Sequence, residues 1–91
     1  MEETYKTIKA LIEENRNEEA IERLEEILAK DDKQDMAYYL KGNIYRKKQD
    51  WANAVNNYTK AMELNPESPA TQAKQMCIEV LNFYNTDMFN H

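Results

Sequence analysis

The side chains that most often perform catalysis are few in this sequence, and their positions do not suit it. The one histidine, His91, is the last of 91 residues, where we expect a mobile chain that cannot hold an imidazole in place. The one cysteine, Cys77, falls on the apolar face of a predicted helix, which indicates a small core residue rather than a nucleophile. A single cysteine also permits no internal disulfide, which is consistent with a reducing compartment.

Adjacent carboxylates are numerous, but they cannot converge on one substrate atom. Neighbouring side chains on a helix diverge by about 100°, so pairs such as Glu13 and Glu14 indicate surface charge. The sequence contains no Cys or His cluster with metal-ligand spacing, no glycine-rich phosphate loop and no recognisable Ser/His/Asp set. We therefore predict that this chain is not an enzyme and that it uses no cofactor and no metal.

The formal net charge of −5 is unevenly spread along the chain. Residues 1–35 contain 12 acids and 6 bases, whereas residues 36–91 contain 5 acids and 6 bases. Because phosphate contacts supply most of the affinity for nucleic acids, we expect this acidic chain to have no nucleic-acid partner. The sequence has no signal-peptide pattern and no stretch of 18 apolar residues, so we expect a cytoplasmic protein that does not enter a membrane.

Apolar residues recur at helical spacing along nearly all of the chain. Helices must therefore position the residues that bind a partner. A content of 42% hydrophobic and 32% charged residues, with one glycine and two prolines, is typical of a single all-α domain. Sliding the sequence by 34 residues superimposes Ala20 on Ala54 and Leu24 on Tyr58. A repeat of this length indicates stacked helical hairpins.

Polar residues and prolines mark the ends of the predicted helices. Asn17 suits the N-cap of the second helix, and Asp50 suits that of the fourth. Ser68 can cap the fifth helix, in which Pro69 fits the first position. Pro66 holds the preceding residue in extended geometry and so ends the fourth helix.

The fifth helix is predicted to cover the open side of the second hairpin. Seven apolar residues lie on its inner face: Ala70, Ala73, Met76, Cys77, Val80, Leu81 and Tyr84. The opposite face is polar and would meet water, as the end of a stacked array requires. Its residues are Gln72, Gln75, Glu79 and Asn82.

One stretch of the chain carries the spacing of a known motif. Residues 35–68 place aromatic residues, a glycine, alanines and a proline at fixed offsets: Tyr38, Gly42, Tyr45, Ala54, Tyr58, Ala61 and Pro66. This stretch resembles a tetratricopeptide repeat, and residues 1–34 resemble a degenerate copy of it. Two positions depart from the pattern, since Lys41 stands in place of leucine and Gln49 in place of glycine.

The resemblance implies an all-α fold of five helices: a right-handed superhelical stack of two hairpins followed by a C-terminal solvating helix. We divide the single domain into a degenerate first repeat at 1–34, a second repeat at 35–68, a capping helix at 69–84 and a tail at 85–91. Gly42 and Ala54 are expected to be small because two antiparallel helices approach closely there.

Tetratricopeptide arrays bind partners on a concave side, which the first helix of each hairpin lines. The resemblance therefore implies a non-catalytic adaptor or scaffold that binds a protein or peptide. Its inward residues would include Tyr5, Lys6, Lys9, Tyr39, Asn43, Arg46, Lys47 and Lys74. Five of these are basic, so our hypothesis is an acidic partner segment. The alternative is that these cations are ordinary solvated side chains.

Residues 82–91 offer a second function. Four large apolar side chains crowd into this region: Phe83, Tyr84, Met88 and Phe89. They either fold back onto the core or pack between two chains, and the second case would make the protein a self-associating assembly unit. We therefore expect a monomer or a weak homodimer.

Overall fold

The computed structural model describes the backbone of residues 1–89 and the side chains of residues 1–83, and this part of the chain contains helices and no strand. Its five helices are α1 at Glu2–Glu13, α2 at Asn17–Lys30, α3 at Asp35–Lys47, α4 at Trp51–Leu64 and α5 at Ala70–Phe89. The predicted all-α fold of five helices is confirmed. Within the same residues, none of the helices combines the length and the apolar character that crossing a membrane needs.

α1 and α3 end in the same tight reversal of the backbone. Asn15 has a φ of 63° and Gln49 a φ of 61°, in the left-handed region that favours glycine. In each reversal the N–H of the following residue donates to a helix carbonyl five residues back, at 2.9 Å, which satisfies an acceptor at the helix end. Three residues therefore suffice to connect α1 to α2 and α3 to α4.

Two of the three predicted N-caps are confirmed. Asp50 accepts a backbone N–H of the first turn of α4 at 3.3 Å, and Ser68 Oγ accepts the Ala70 N–H at 3.1 Å. The prediction for Asn17 is wrong, because the short reversal after α1 places Asn17 inside α2 and Arg16 at the cap. The side-chain oxygen of Asn17 is instead buried without a hydrogen-bond partner among the described residues.

The buried hydrophobic side chains of residues 1–83 form two core clusters. The first cluster joins α1, α2 and α3 through Tyr5, Ile8, Leu11, Ile12, Ala20, Leu24, Ile27, Ala37, Leu40 and Ile44. The second joins α4 and α5 through Ala54, Tyr58, Ala61, Ala70, Ala73 and Cys77. Tyr39 of α3 is half-buried and packs against both clusters, so it connects the two hairpins.

Gly42 of α3 lies against the ring of Tyr58 from α4. A Cβ atom at position 42 would come within 2.5 Å of Tyr58 Cε1 and 2.6 Å of Tyr58 Cδ1, closer than two packed carbon atoms can lie. The position therefore needs glycine, as the expected close approach of the two helices predicts. The nearest atoms all belong to Tyr58, so this ring, rather than Ala54, sets the steric condition.

α5 differs from its prediction in both its length and its buried face. Its backbone is helical to Phe89 rather than to residue 84, so residues 85–89 of the predicted tail belong to the helix. Among its described side chains, Ala70, Ala73 and Cys77 are buried, and they pack with α4. Met76 was expected on the same inner face but is 55% exposed. The reason is that α4, with a smaller contribution from α3, covers only part of the α5 surface, and Met76 lies outside the covered part.

Candidate functional site

A groove runs between α1 and α3, the first helices of the two hairpins. One cavity of about 350 Å³ is lined by Glu2, Glu3, Tyr5, Lys6, Lys9 and Met36. A second cavity of about 300 Å³ is lined by Lys9, Ile12, Glu13, Leu40, Asn43, Arg46 and Lys47. Both cavities include Lys9, so they adjoin, and their linings show that α1 and α3 run in parallel. We call these residues together the α1/α3 groove.

Six of the eight predicted binding residues line the α1/α3 groove: Tyr5, Lys6, Lys9, Asn43, Arg46 and Lys47. Tyr39 and Lys74 line neither cavity. Tyr39 instead packs with Tyr58, with ring centroids 5.9 Å apart and an interplanar angle of 41°. Lys74 is half-buried on α5. Stacking of the hairpins thus brings together residues that are 34 positions apart in the sequence, such as Lys9 and Asn43.

None of the four cations of the groove forms a salt bridge within the described residues: Lys6, Lys9, Arg46 and Lys47. Two lysines outside the groove, one in α3 and one directly after it, are paired with carboxylates of α2. Lys41 Nζ lies 2.8 Å from Glu25 Oε1, and Lys48 Nζ lies 3.4 Å from Glu18 Oε1. The groove therefore offers positive charge that no salt bridge in the described part of the chain neutralises.

Lys47 is held at the end of α1. Its Nζ donates to the carbonyl oxygen of Ile12 at 2.5 Å and to Asn15 Oδ1 at 2.9 Å. An ammonium group at the C-terminal end of a helix stabilises the exposed carbonyls and the negative end of the helix dipole. Lys47 therefore fixes α1 against α3, and it has less to offer a ligand than Lys9 or Arg46.

Asn43 lines the second cavity with an amide group that Tyr58 orients. The Tyr58 hydroxyl donates to Asn43 Oδ1 at 2.5 Å, so the NH₂ group of Asn43 is the part that can donate to a ligand carbonyl. Burial raises the pKa of Tyr58 above its usual range, and the nearby Arg46 guanidinium only partly opposes this shift. Tyr58 therefore remains a protonated donor at neutral pH.

Tyr5 joins the wall of the groove to the core. Its ring is buried, and its hydroxyl donates to Gln34 Oε1 at 3.0 Å. Burial and then the negative charges of Asp35 and Asp31 raise the pKa of Tyr5. Gln34 in turn donates to Asp31 at 2.8 Å, and this bond, with the N–H of Lys33, lowers the pKa of the Asp31 carboxyl. The connected hydrogen bonds tie α1 to the turn between α2 and α3.

The groove also contains residues that the sequence interpretation missed: Glu2, Glu3, Ile12, Glu13, Met36 and Leu40. The 34-residue length of the repeat is enough to identify three of them. A step of 34 residues leads from Lys6 to Leu40, and the same step backwards leads from Arg46 and Lys47 to Ile12 and Glu13. Because the first helices are parallel, equivalent positions of both repeats line the same groove.

Stacked hairpins that present the first helix of each on a shared groove define the class of helical repeat proteins. Residues 36–68 match the Tetratricopeptide repeat family. The solution NMR structure of Bacteroides fragilis protein BF1650 has 53% sequence identity and a TM-score of 0.88, over 99% of this chain and 91% of that one. None of the curated proteins matches the chain. The chain belongs to the tetratricopeptide repeat family.

Tetratricopeptide repeats generally mediate binding between proteins and are typically not enzymes. Among the described side chains, no group of three His, Cys, Asp or Glu residues could hold a metal ion. Burial raises the pKa of the Cys77 thiol, with a smaller opposing effect of Arg46, so the thiolate that would act as a nucleophile is scarce. The hydrogen-bond donors, cations and apolar residues of the groove suit the binding of a polypeptide.

Proposed function

We propose that the chain is a non-catalytic adaptor whose α1/α3 groove binds an extended segment of a partner protein that carries acidic residues. The observation that carries this proposal is the set of cations Lys6, Lys9 and Arg46, which share one groove without a salt bridge among the described residues. In a protein with a net charge of −5, positive charge gathered in a concavity attracts carboxylates to that place.

The uncharged residues of the groove suit an extended backbone. The NH₂ group of Asn43 can donate to a carbonyl, and Met36 offers apolar contact. Over residues 2–13, α1 rises by about 16 Å, which accommodates roughly five extended residues. A contact of this length predicts a moderate affinity that weakens as salt screens the cations.

The test compares two double variants with the same change of charge. Lys6→Glu/Lys9→Glu reverses two exposed cations of the groove, whereas Lys33→Glu/Lys60→Glu reverses two exposed cations outside it. Each variant and the wild type are used in a pull-down from a lysate of the source cells, analysed by mass spectrometry. We expect a partner that the wild type and the control retain and the groove variant loses. A partner retained equally by all three folded proteins would contradict binding in the groove.

Self-association through α5 is a second candidate function. Exposed apolar side chains on α5 favour it. Met76 is 55% and Phe83 is 78% exposed, and with Glu79 and Val80 they line a cavity of about 360 Å³. Phe83 is the one residue of the predicted self-association set with a described side chain. The other members, Tyr84, Met88 and Phe89, lie outside the described side chains.

The repeat indicates what the exposed face of α5 would pack against. Met76 stands 34 residues after Gly42, the position that Tyr58 of α4 covers. This face of α5 therefore corresponds to the face on which a hairpin carries its second helix. We infer that α5 of a second copy would pack there, because a two-fold contact at α5 keeps the acidic residues 1–35 of both copies at opposite ends of the dimer.

Analytical ultracentrifugation over a wide range of protein concentration tests the second candidate. We expect dimers that increase with concentration, that disappear in Met76→Glu/Phe83→Glu and that persist in Lys6→Glu/Lys9→Glu. A monomer mass at every concentration would rule out self-association, and dimers that survive the α5 variant would place the contact elsewhere.

A further inference from the structure

The α1/α3 groove carries its charges in an order along α1. Glu2 and Glu3, the glutamate pair, line the first cavity. Lys6 and Lys9, the lysine pair, follow along the same cavity, and Lys9 reaches the second. Glu2, Lys6 and Lys9 stand at i, i+4 and i+7, so they share one face of the helix. At the N-terminal end of α1 a bound segment therefore meets the glutamate pair before the lysine pair, whereas at the other end Glu13 lines the second cavity together with Arg46 and Lys47.

The glutamate pair has no salt bridge within the described residues. Glu2 and Lys6 are four residues apart, a spacing that permits an ion pair on a helix, but none forms between them. Both glutamates stand in the first turn of α1, where negative charge is favoured by the helix dipole. That role accounts for their presence at the helix end, and their charge still acts on anything that enters the first cavity.

The separation of the two pairs matches the geometry of an extended chain. Their midpoints are about five residues apart, which is about 7.5 Å along the axis of α1. In an extended segment, side chains two positions apart point to the same side at a spacing of about 6.6 Å. The side chain between them points the other way, towards α3, where the first cavity is lined by Met36.

Resting on the proposed function, we propose that the groove selects a segment in which a basic and an acidic residue flank one apolar residue. The basic side chain meets the glutamate pair, and the acidic side chain meets the lysine pair. A segment with acidic residues at both positions places one carboxylate beside the glutamate pair and is repelled there. The groove is therefore specific for charge order and not only for negative charge.

Fluorescence anisotropy with four labelled peptides tests this charge order. The peptides have equal length, blocked ends and the same uncharged flanking residues. They carry Lys-Leu-Glu, Glu-Leu-Lys, Glu-Leu-Glu or Gln-Leu-Gln at the centre. We expect one of the two mixed peptides to bind the wild type about two- to fivefold more tightly than Glu-Leu-Glu, the range for exposed charge pairs. The Glu2→Lys/Glu3→Lys variant should bind Glu-Leu-Glu most tightly.

The matched variant Glu2→Gln/Glu3→Gln separates selectivity from stability. The preference for a mixed peptide should vanish in this variant without reversing, and its melting temperature reports any loss of the helix-dipole contribution. The charge order is overturned if the wild type binds Glu-Leu-Glu as tightly as both mixed peptides and Lys6→Glu/Lys9→Glu loses this binding. That result leaves the proposed function standing. Binding that Lys6→Glu/Lys9→Glu does not weaken, or no binding of any peptide, overturns both.

Discussion

Tyr58 links the packing of the second hairpin to the chemistry of the groove. Its ring is fully buried against Gly42, and its hydroxyl orients the amide of Asn43 in the second cavity. The glycine therefore has a steric role, because it makes room for an aromatic ring whose polar end reaches a groove residue. A substitution at position 42 should therefore affect the packing of Tyr58 first.

We expect Gly42→Ala to lower the free energy of unfolding by up to about 2 kcal/mol. Overpacking of the added methyl group against Tyr58 costs about 1 to 3 kcal/mol, which outweighs the ~1 kcal/mol that alanine contributes through helix propensity. Urea denaturation followed by circular dichroism measures the change. In Gly42→Ala/Tyr58→Leu the smaller side chain relieves the clash, so the double variant should lose less than the sum of the single ones. A Gly42→Ala protein more stable than the wild type would contradict the steric role.

Gln49 occupies a backbone conformation that costs free energy for any residue with a Cβ atom. Because its φ is 61° at the end of α3, we expect Gln49→Gly to raise the free energy of unfolding by about 0.5 to 1 kcal/mol. The control is Gln72→Gly, the same substitution within α5, which should lower stability by a similar amount of about 0.5 to 1 kcal/mol. Thermal melting of both variants shows whether each substitution raises or lowers stability. Destabilisation by both would mean that Gln49 makes a contact worth more than its backbone strain.

At the scale of helices, the two hairpins meet across α2 and α3 through a charged pair as well as through the core. Lys41, where the repeat usually has leucine, is only 14% exposed along its side chain, and its amine reaches Glu25 of α2. The long apolar stem of lysine can pack between the helices while its charged end meets the carboxylate near the surface. The departure from the repeat pattern thus has a partner in the preceding repeat.

We expect Lys41→Glu to destabilise the stack, because it places two carboxylates together between α2 and α3. The charge-swapped protein Lys41→Glu/Glu25→Lys should recover part of that loss, with a coupling of about 0.2 to 1 kcal/mol as for pairs near the surface. Urea denaturation of the four proteins of this double-mutant cycle measures the coupling. A coupling of zero would show that Lys41 contributes through packing alone.

At the scale of the whole molecule, two core clusters are arranged along an elongated shape of 48 × 28 × 18 Å. In stacked repeats each unit contacts only its neighbours, so cooperativity depends on the contacts between units. Tyr39 packs against both clusters, whereas Tyr45 packs against the second. The groove lies along α1 and α3, so it keeps its shape only while the two hairpins remain coupled.

We expect the wild type to unfold in one transition, with Trp51 fluorescence and far-UV circular dichroism giving the same midpoint in urea. Trp51 packs against the second cluster, so it reports on that hairpin. Tyr39→Ala should separate the two midpoints because it weakens the contact between clusters. The control Tyr45→Ala should lower stability but keep the midpoints together. Coincident midpoints in Tyr39→Ala would show that the remaining contacts between hairpins suffice.

The helices, their family and half of the groove residues could be predicted from the sequence because the signals are local or repeat at a constant interval. Apolar spacing, the caps at Asp50 and Ser68, and the match around Gly42 depend on neighbouring residues or on the 34-residue period. The N-cap prediction for Asn17 was wrong, but the feature that determines the actual cap is also local. The tight reversal at Asn15 shortened the turn by enough to move the cap to Arg16.

The partners of the groove residues depended instead on how the helices stack. Lys47 reaches the end of α1 and Lys41 reaches α2, and neither contact follows from spacing within α3. The exposure of Met76 likewise follows from which part of α5 the neighbouring helices cover. Helical periodicity states which residues share a face, whereas the angle and depth of packing, set by contacts such as that of Tyr58 with Gly42, determine what each face meets.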